Sequence, residues 1–65
     1  MPKRIIWSVP LCEDCNKAKE KYPDAEVRDL RRLNDGFRQD MHDVDAMAEF
    51  HMQDRTAPVV LEVGV

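Results

Sequence analysis

Sixty-five residues, 43% of them apolar and 35% charged, suit one globular domain at most, with a marginal core because so short a chain buries only about 60% of its unfolded surface. A net charge of −3 leaves no basic footprint for nucleic acid, and no apolar run approaches the ~20 residues of a membrane span or the apolar stretch of a signal peptide. The chain is therefore expected in the cytoplasm, where cysteines stay reduced and a close pair points to redox or metal chemistry.

The first predicted element is a strand over residues 3–8. Its run Ile5-Ile6-Trp7 suits a strand covered on both faces. Val9-Pro10-Leu11 follows as a turn, because Pro10 fixes its own φ and pushes Val9 toward extended backbone. The turn delivers Cys12-Glu13-Asp14-Cys15, which holds both cysteines of the chain. A helix over 13–22 comes next, opened by two acidic residues and closed by lysines, as the helix dipole favours. Cys15, Ala18 and Tyr22 share one face of it, and Pro23 stops it. Residues 25–30 read as a short, polar second strand at a sheet edge.

Residues 31–40 have little periodicity and contain the turn signal Asn34-Asp35-Gly36. Asp43 is the expected N-cap of a second helix running to about Gln53. There Val44, Met47, Ala48 and His51 form the expected buried stripe, with Phe50 beside it. Residues 54–58 read as a loop. Residues 59–63, Val-Val-Leu-Glu-Val, are the strongest strand signal in the chain. The order is βαβαβ, with the first two strands parallel; composition leaves the direction of the third open.

Two segments now carry a likeness. Ile5-Ile6-Trp7-Ser8-Val9-Pro10-Leu11-Cys12-Glu13-Asp14-Cys15 resembles the opening of a glutaredoxin: a hydrophobic strand, Ser-x-Pro-x, then Cys-x-x-Cys at a helix start. Thr56-Ala57-Pro58-Val59-Val60 resembles that family's Thr-Val-Pro loop. The resemblance covers nearly the whole chain, with 31–43 the poorest match. It implies an α/β, minimal thioredoxin-like fold with a three-strand mixed sheet in the order 2-1-3, strand three antiparallel to strand one, and two helices. Residues 1–65 then form a single glutaredoxin-like domain without the family's usual last strand and helix. It also implies a cis peptide at Pro58.

The implied activity is thiol–disulfide exchange. The attacking species is a thiolate, and a free cysteine ionises only near pH 8.5, roughly. Cys12 at the helix N-terminus has N–H groups and the positive dipole end to favour the anion, so it is the expected nucleophile. Cys15, one turn inside, is the expected resolving thiol. Thr56, Ala57 and Pro58 are expected to bind substrate, with the Ala57 backbone pairing an extended peptide. Pro10, Leu11 and Arg55 are candidate substrate contacts. The resemblance stops short of glutathione. The family's basic residue between Ser and Pro is Val9 here, its Pro-Tyr between the cysteines is Glu13-Asp14, and its Gly-rich glutathione grip falls in the missing piece. No cofactor is expected, and glutathione stands only as a candidate co-substrate. Acidic Glu13 and Asp14 favour a basic or protein disulfide instead.

Blander alternatives stand beside this. The cysteines also admit a lesser reading as small apolar residues at a helix start. A zinc site needs about four ligands, and only His42 and His51 are left to help, nine positions apart, so no metal is expected. Trp7 reads as core, His51 as a partly buried core histidine, and Arg4, Arg38 and Arg55 as solvated. A non-catalytic thioredoxin-fold module that docks a protein is the rival function. The 59–63 strand, lacking a fourth neighbour, is expected to pair with a second copy or a partner, because bare apolar edges are rare.

Overall fold

In a computed structural model of the chain, residues 3–34 and 38–64 are described. The turn expected at Asn34-Asp35-Gly36 lies mostly outside them. The elements are β1 (Lys3–Ser8), α1 (Glu13–Lys21), β2 (Glu26–Asp29), a 3₁₀ turn (Leu30–Leu33), α2 (Met41–Met52) and β3 (Val59–Val63). The sheet order is β2-β1-β3. β2 runs parallel to β1, with Ile6 beside Val27 and Trp7 beside Arg28. β3 runs antiparallel, with Ile5 beside Leu61 and Trp7 beside Val59. This is the α/β arrangement that the Cys-x-x-Cys and Thr-x-Pro segments imply.

β1 is the central strand and is buried on both faces. Alternation along a strand sends Ile5 and Trp7 one way and Ile6 and Ser8 the other; all four are buried. Ile5 and Trp7 join Val59, Leu33 and Ala46 in the core, with Met47, Phe50, Leu61 and Val63 packed around it. That face belongs to α2. The opposite face belongs to α1, whose C-cap Tyr22 stacks under the Arg4 guanidinium at 4.0 Å. Arg4 is therefore not free in solvent; it also donates to Glu62 at 3.2 Å.

α2 departs from its expected placement in two ways. Its N-cap is Asp40, not Asp43. Asp40 accepts from the Asp43 N–H at 2.9 Å, and the Asp43 carboxylate accepts from the Asp40 N–H at 3.1 Å, a reciprocal capping box. The helix also lies one residue around from the predicted face. Asp43, Ala46, Met47 and Phe50 turn inward, while Val44, Ala48 and His51 are exposed.

The cause is Asp43. It is fully buried and carries five donors. The Trp7 indole Nε1–H donates at 2.9 Å, Arg32 Nη2 at 2.7 Å, Arg32 Nε at 3.1 Å, Arg28 Nη1 at 3.2 Å, and the Asp40 N–H completes the set. The Arg32 fork holds the carboxyl well below the usual carboxylate range, against burial, which pushes the other way; Trp7, the Asp40 amide and Arg28 add to the fork. Burial works against the charge of Arg28. Its bonds to Glu26, Asp40 and Asp43 outweigh that and raise its pKa. A buried charge without partners would be neutralised or expelled; this one ties β1, β2, the 3₁₀ turn and α2 together. The 3₁₀ turn, which has no hydrophobic period to announce it, exists to deliver Leu33 to the core and Arg32 to Asp43. Asp29 caps it, accepting from the Arg31 N–H at 2.9 Å.

Candidate redox site

The site grows from the end of β1. After Ser8 the strand has nothing left to pair with in a regular ladder, and Pro10 removes a donor, so the chain turns. Leu11 completes the turn with φ of 57°. The left-handed region costs a non-glycine residue about 1–2 kcal/mol. The Leu11 side chain lies wholly in solvent. The next residue, Cys12, returns to extended backbone (φ −113°, ψ 111°) and is the N-cap of α1.

Cysteine at this position does what Ser or Asp usually does. The Cys12 Sγ accepts the backbone N–H of Cys15 at 3.1 Å, meeting one of the unsatisfied donors of the first turn. Cys12 is half-buried. Cys15, on the inner face of α1, is fully buried. The two sulfurs lie at disulfide distance, with Cα atoms 5.2 Å apart. Glu13 and Asp14, between them, are exposed in the first turn of the helix. Their negative charges suit the helix N-terminus but stand beside the sulfur that would carry charge.

The second part of the site is the loop from α2 into β3. Extending the antiparallel register past Trp7 and Val59 sets Pro58 beside Ser8. The Thr56-Ala57-Pro58 segment and the turn that carries Cys12 therefore occupy the same end of the sheet. The Ala57-Pro58 peptide is cis. Two residues before this segment, Asp54 and Arg55, are left-handed as well, with φ of 56° and 59°. The Arg55 N–H donates to the Phe50 carbonyl at 2.9 Å, which closes the end of the helix. Arg55 itself is exposed, and no ion pair holds it among the described residues.

Thr56 does not offer its hydroxyl outward. Its Oγ1–H donates to the Gln53 carbonyl at 2.8 Å. Gln53 reciprocates: its side-chain amide donates to the carbonyls of Thr56 at 3.3 Å and Pro58 at 3.1 Å. Gln53 therefore braces this loop from the end of α2. The sequence marks it only as the last residue of a helix, and nothing in its neighbours signals the clamp.

Beside the Cys12 turn, a shallow cavity of about 310 Å³ is lined by Ser8, Val9, Pro10, Lys19, Val27, Arg28 and Asp29. It sits beyond the carboxyl ends of the two parallel strands, where open α/β sheets place ligands. Trp7 does not line it; the ring is fully buried on the α2 face. His51, exposed on α2, is neither core nor part of this site. A larger cavity, about 440 Å³, lies at the opposite end of the sheet, between Lys3, Arg4, Lys21, Tyr22 and Glu62. No helix among the described residues is long and apolar enough to cross a membrane. Comparison with family models, with curated proteins and with solved structures finds no match to this chain.

Proposed function

We propose that the chain is a glutaredoxin-like thiol–disulfide oxidoreductase acting through Cys12 and Cys15. One observation carries the reading. The half-buried sulfur caps a helix and accepts the N–H of Cys15, while the second sulfur sits fully buried within bonding reach of the first. This is one accessible thiol backed by one shielded thiol, with a donor aimed at the sulfur that must bear negative charge. Hydrogen bonding to the charged form favours it.

The reaction then runs in two displacements. The Cys12 thiolate attacks one sulfur of a substrate disulfide. A Cys12–substrate bond forms, the substrate S–S bond breaks, and the other substrate sulfur leaves as a thiolate that takes a proton from water. The Cys15 thiol gives up its proton and attacks Cys12 Sγ. The second substrate thiolate leaves and is protonated. The substrate has gained two electrons and two protons as two thiols, and the protein holds a Cys12–Cys15 disulfide. An external thiol or dithiol reductant reverses the exchange and restores the reduced pair.

Thr56, Ala57 and Pro58 supply the substrate-facing loop, with Pro10, Leu11 and Arg55 at its borders. The left-handed residues on both loops, Leu11, Asp54 and Arg55, support this reading, because strained non-glycine backbone gathers at functional sites. Acidic Glu13 and Asp14 favour protein disulfides flanked by basic residues over the anionic tripeptide glutathione.

Mass spectrometry of the reduced protein mixed with a disulfide tests the proposal. Cys15→Ser is expected to accumulate the mixed disulfide at Cys12, and Cys12→Ser to form none. A Cys12→Ser variant that reduces disulfides as fast as the native chain would sink it.

A further inference from the structure

The Thr56-Ala57-Pro58 loop, at the cysteines' end of the sheet, has a hydrogen-bond pattern that singles out one residue. The Thr56 N–H donates to the Gln53 carbonyl at 3.3 Å. The Thr56 and Pro58 carbonyls both accept from the Gln53 amide. Pro58 has no N–H to give. Among the described residues, only the N–H and C=O of Ala57 are left without a partner in this segment. One side chain thus occupies the carbonyls on both sides of Ala57 and leaves a single donor and acceptor without a partner, at a residue only partly buried.

We infer that Gln53 is a positioning residue for peptide recognition: its amide fixes the Thr56-Ala57-Pro58 loop so that Ala57 offers one N–H and one C=O to an extended substrate backbone. This rests on the oxidoreductase reading above and adds a specificity to it. A peptide disulfide uses the Ala57 pair, whereas a small disulfide without a backbone does not. A main-chain pair of this kind is how strand-like peptides gain affinity. Without the clamp, the Thr56 and Pro58 carbonyls are free to turn, and the loop must be ordered again at each encounter, a cost charged to binding and not to sulfur chemistry.

The test is single-turnover oxidation of the reduced protein by two probes. One is an eight-residue peptide whose single cysteine is joined to 2-mercaptoethanol. The other is bis(2-hydroxyethyl) disulfide. Gln53→Glu keeps the size and loses both donations. It is expected to raise the half-saturating peptide concentration about tenfold, with the limiting rate and the rate toward the small disulfide unchanged. Gln53→Met, neutral and of similar length, carries the same comparison should a carboxylate at this position unfold the chain. Equal losses toward both probes would make Gln53 merely structural and overturn the inference, as would unchanged peptide saturation in a folded variant. A native protein that oxidises with neither probe would overturn the oxidoreductase reading itself.

Discussion

The backbone N–H of Cys15 points at the Cys12 sulfur from 3.1 Å. Under the proposed exchange, Cys15 would thus stabilise through its main chain the same atom that it attacks through its side chain. Its sulfur is buried while its amide faces the cap, so the two roles do not compete.

Alkylation should read this division directly. In the reduced native protein, iodoacetamide is expected to label Cys12 first and to reach Cys15 only after denaturant is added. The acidic neighbours are expected to slow the first step. An exposed carboxylate at about 4 Å repels a thiolate by ~1 kcal/mol in water. Glu13→Gln with Asp14→Asn is therefore expected to speed Cys12 labelling at pH 7 severalfold, without altering the fold by circular dichroism. No change in rate would remove these carboxylates from the account of substrate preference.

Asp43→Asn should be the most damaging conservative change outside the site. Breaking a buried charge network by altering its central member costs about 3 kcal/mol or more. A domain of this size has only about 3–10 kcal/mol to lose at ~0.05–0.15 kcal/mol per residue. Urea denaturation followed by Trp7 fluorescence is expected to show a large fall in midpoint. The Trp7 emission itself should shift, because the indole loses a charged acceptor.

Acid should destabilise the native chain through the same residues. The carboxyls of Asp43 and Glu26 have folded-state pKa values below their ordinary ones; Glu26 is held at about 2 by Lys3 first and then Arg28. A depressed pKa stabilises the fold at pH above the unfolded value and loses that effect as pH falls through the folded one. Stability is expected to drop between about pH 4.5 and pH 2. In Asp43→Asn this acid limb should be shallower, which urea midpoints at pH 7 and pH 3 will show.

Asp40→Ala removes the N-cap of α2 and a bond to Arg28. Loss of such a cap typically costs about 1 kcal/mol. Thermal melts should show a modest drop, clearly smaller than that of Asp43→Asn. If the two variants are equally unstable, the buried carboxylate is not the centre of the network.

β3 is an edge strand with Val60, Leu61 and Val63 only partly covered. Pairing with a second copy through this edge is the expected remedy. Sedimentation is expected to show mass rising toward a dimer with concentration, and the 59–63 amides should exchange more slowly in the concentrated sample. A monomer at every concentration, with freely exchanging 59–63 amides, would exclude it.

The parts of the fold that were legible in the sequence share a cause. β1, β3, the Cys12 turn and the Pro58 loop are specified by neighbours in the chain: apolar runs, prolines, and a cysteine pair ahead of a helix. What was not legible depends on distant partners. Asp43 looks like a cap because aspartate favours caps, and only the approach of Arg28, Arg32 and Trp7 makes burial tolerable. Gln53 looks like a helix end because its bonds cross a loop whose path is fixed elsewhere. The 3₁₀ turn follows from Leu33 and Arg32 being needed in two places, which no periodicity records.

α2 carries apolar residues on two faces, and either one would satisfy a count of buried carbon. Turning the helix by one residue would seat Val44, Met47, Ala48 and His51 against the sheet and cast Asp43 out. The buried carboxylate acts as a key that admits one angular setting and rejects the other, because only one brings it to Trp7 and the arginines. The Thr56-Ala57-Pro58 loop, at the Cys12 end of the sheet, hangs from the last turn of this helix. The aim of the candidate site is thus set by an aspartate that never meets a sulfur.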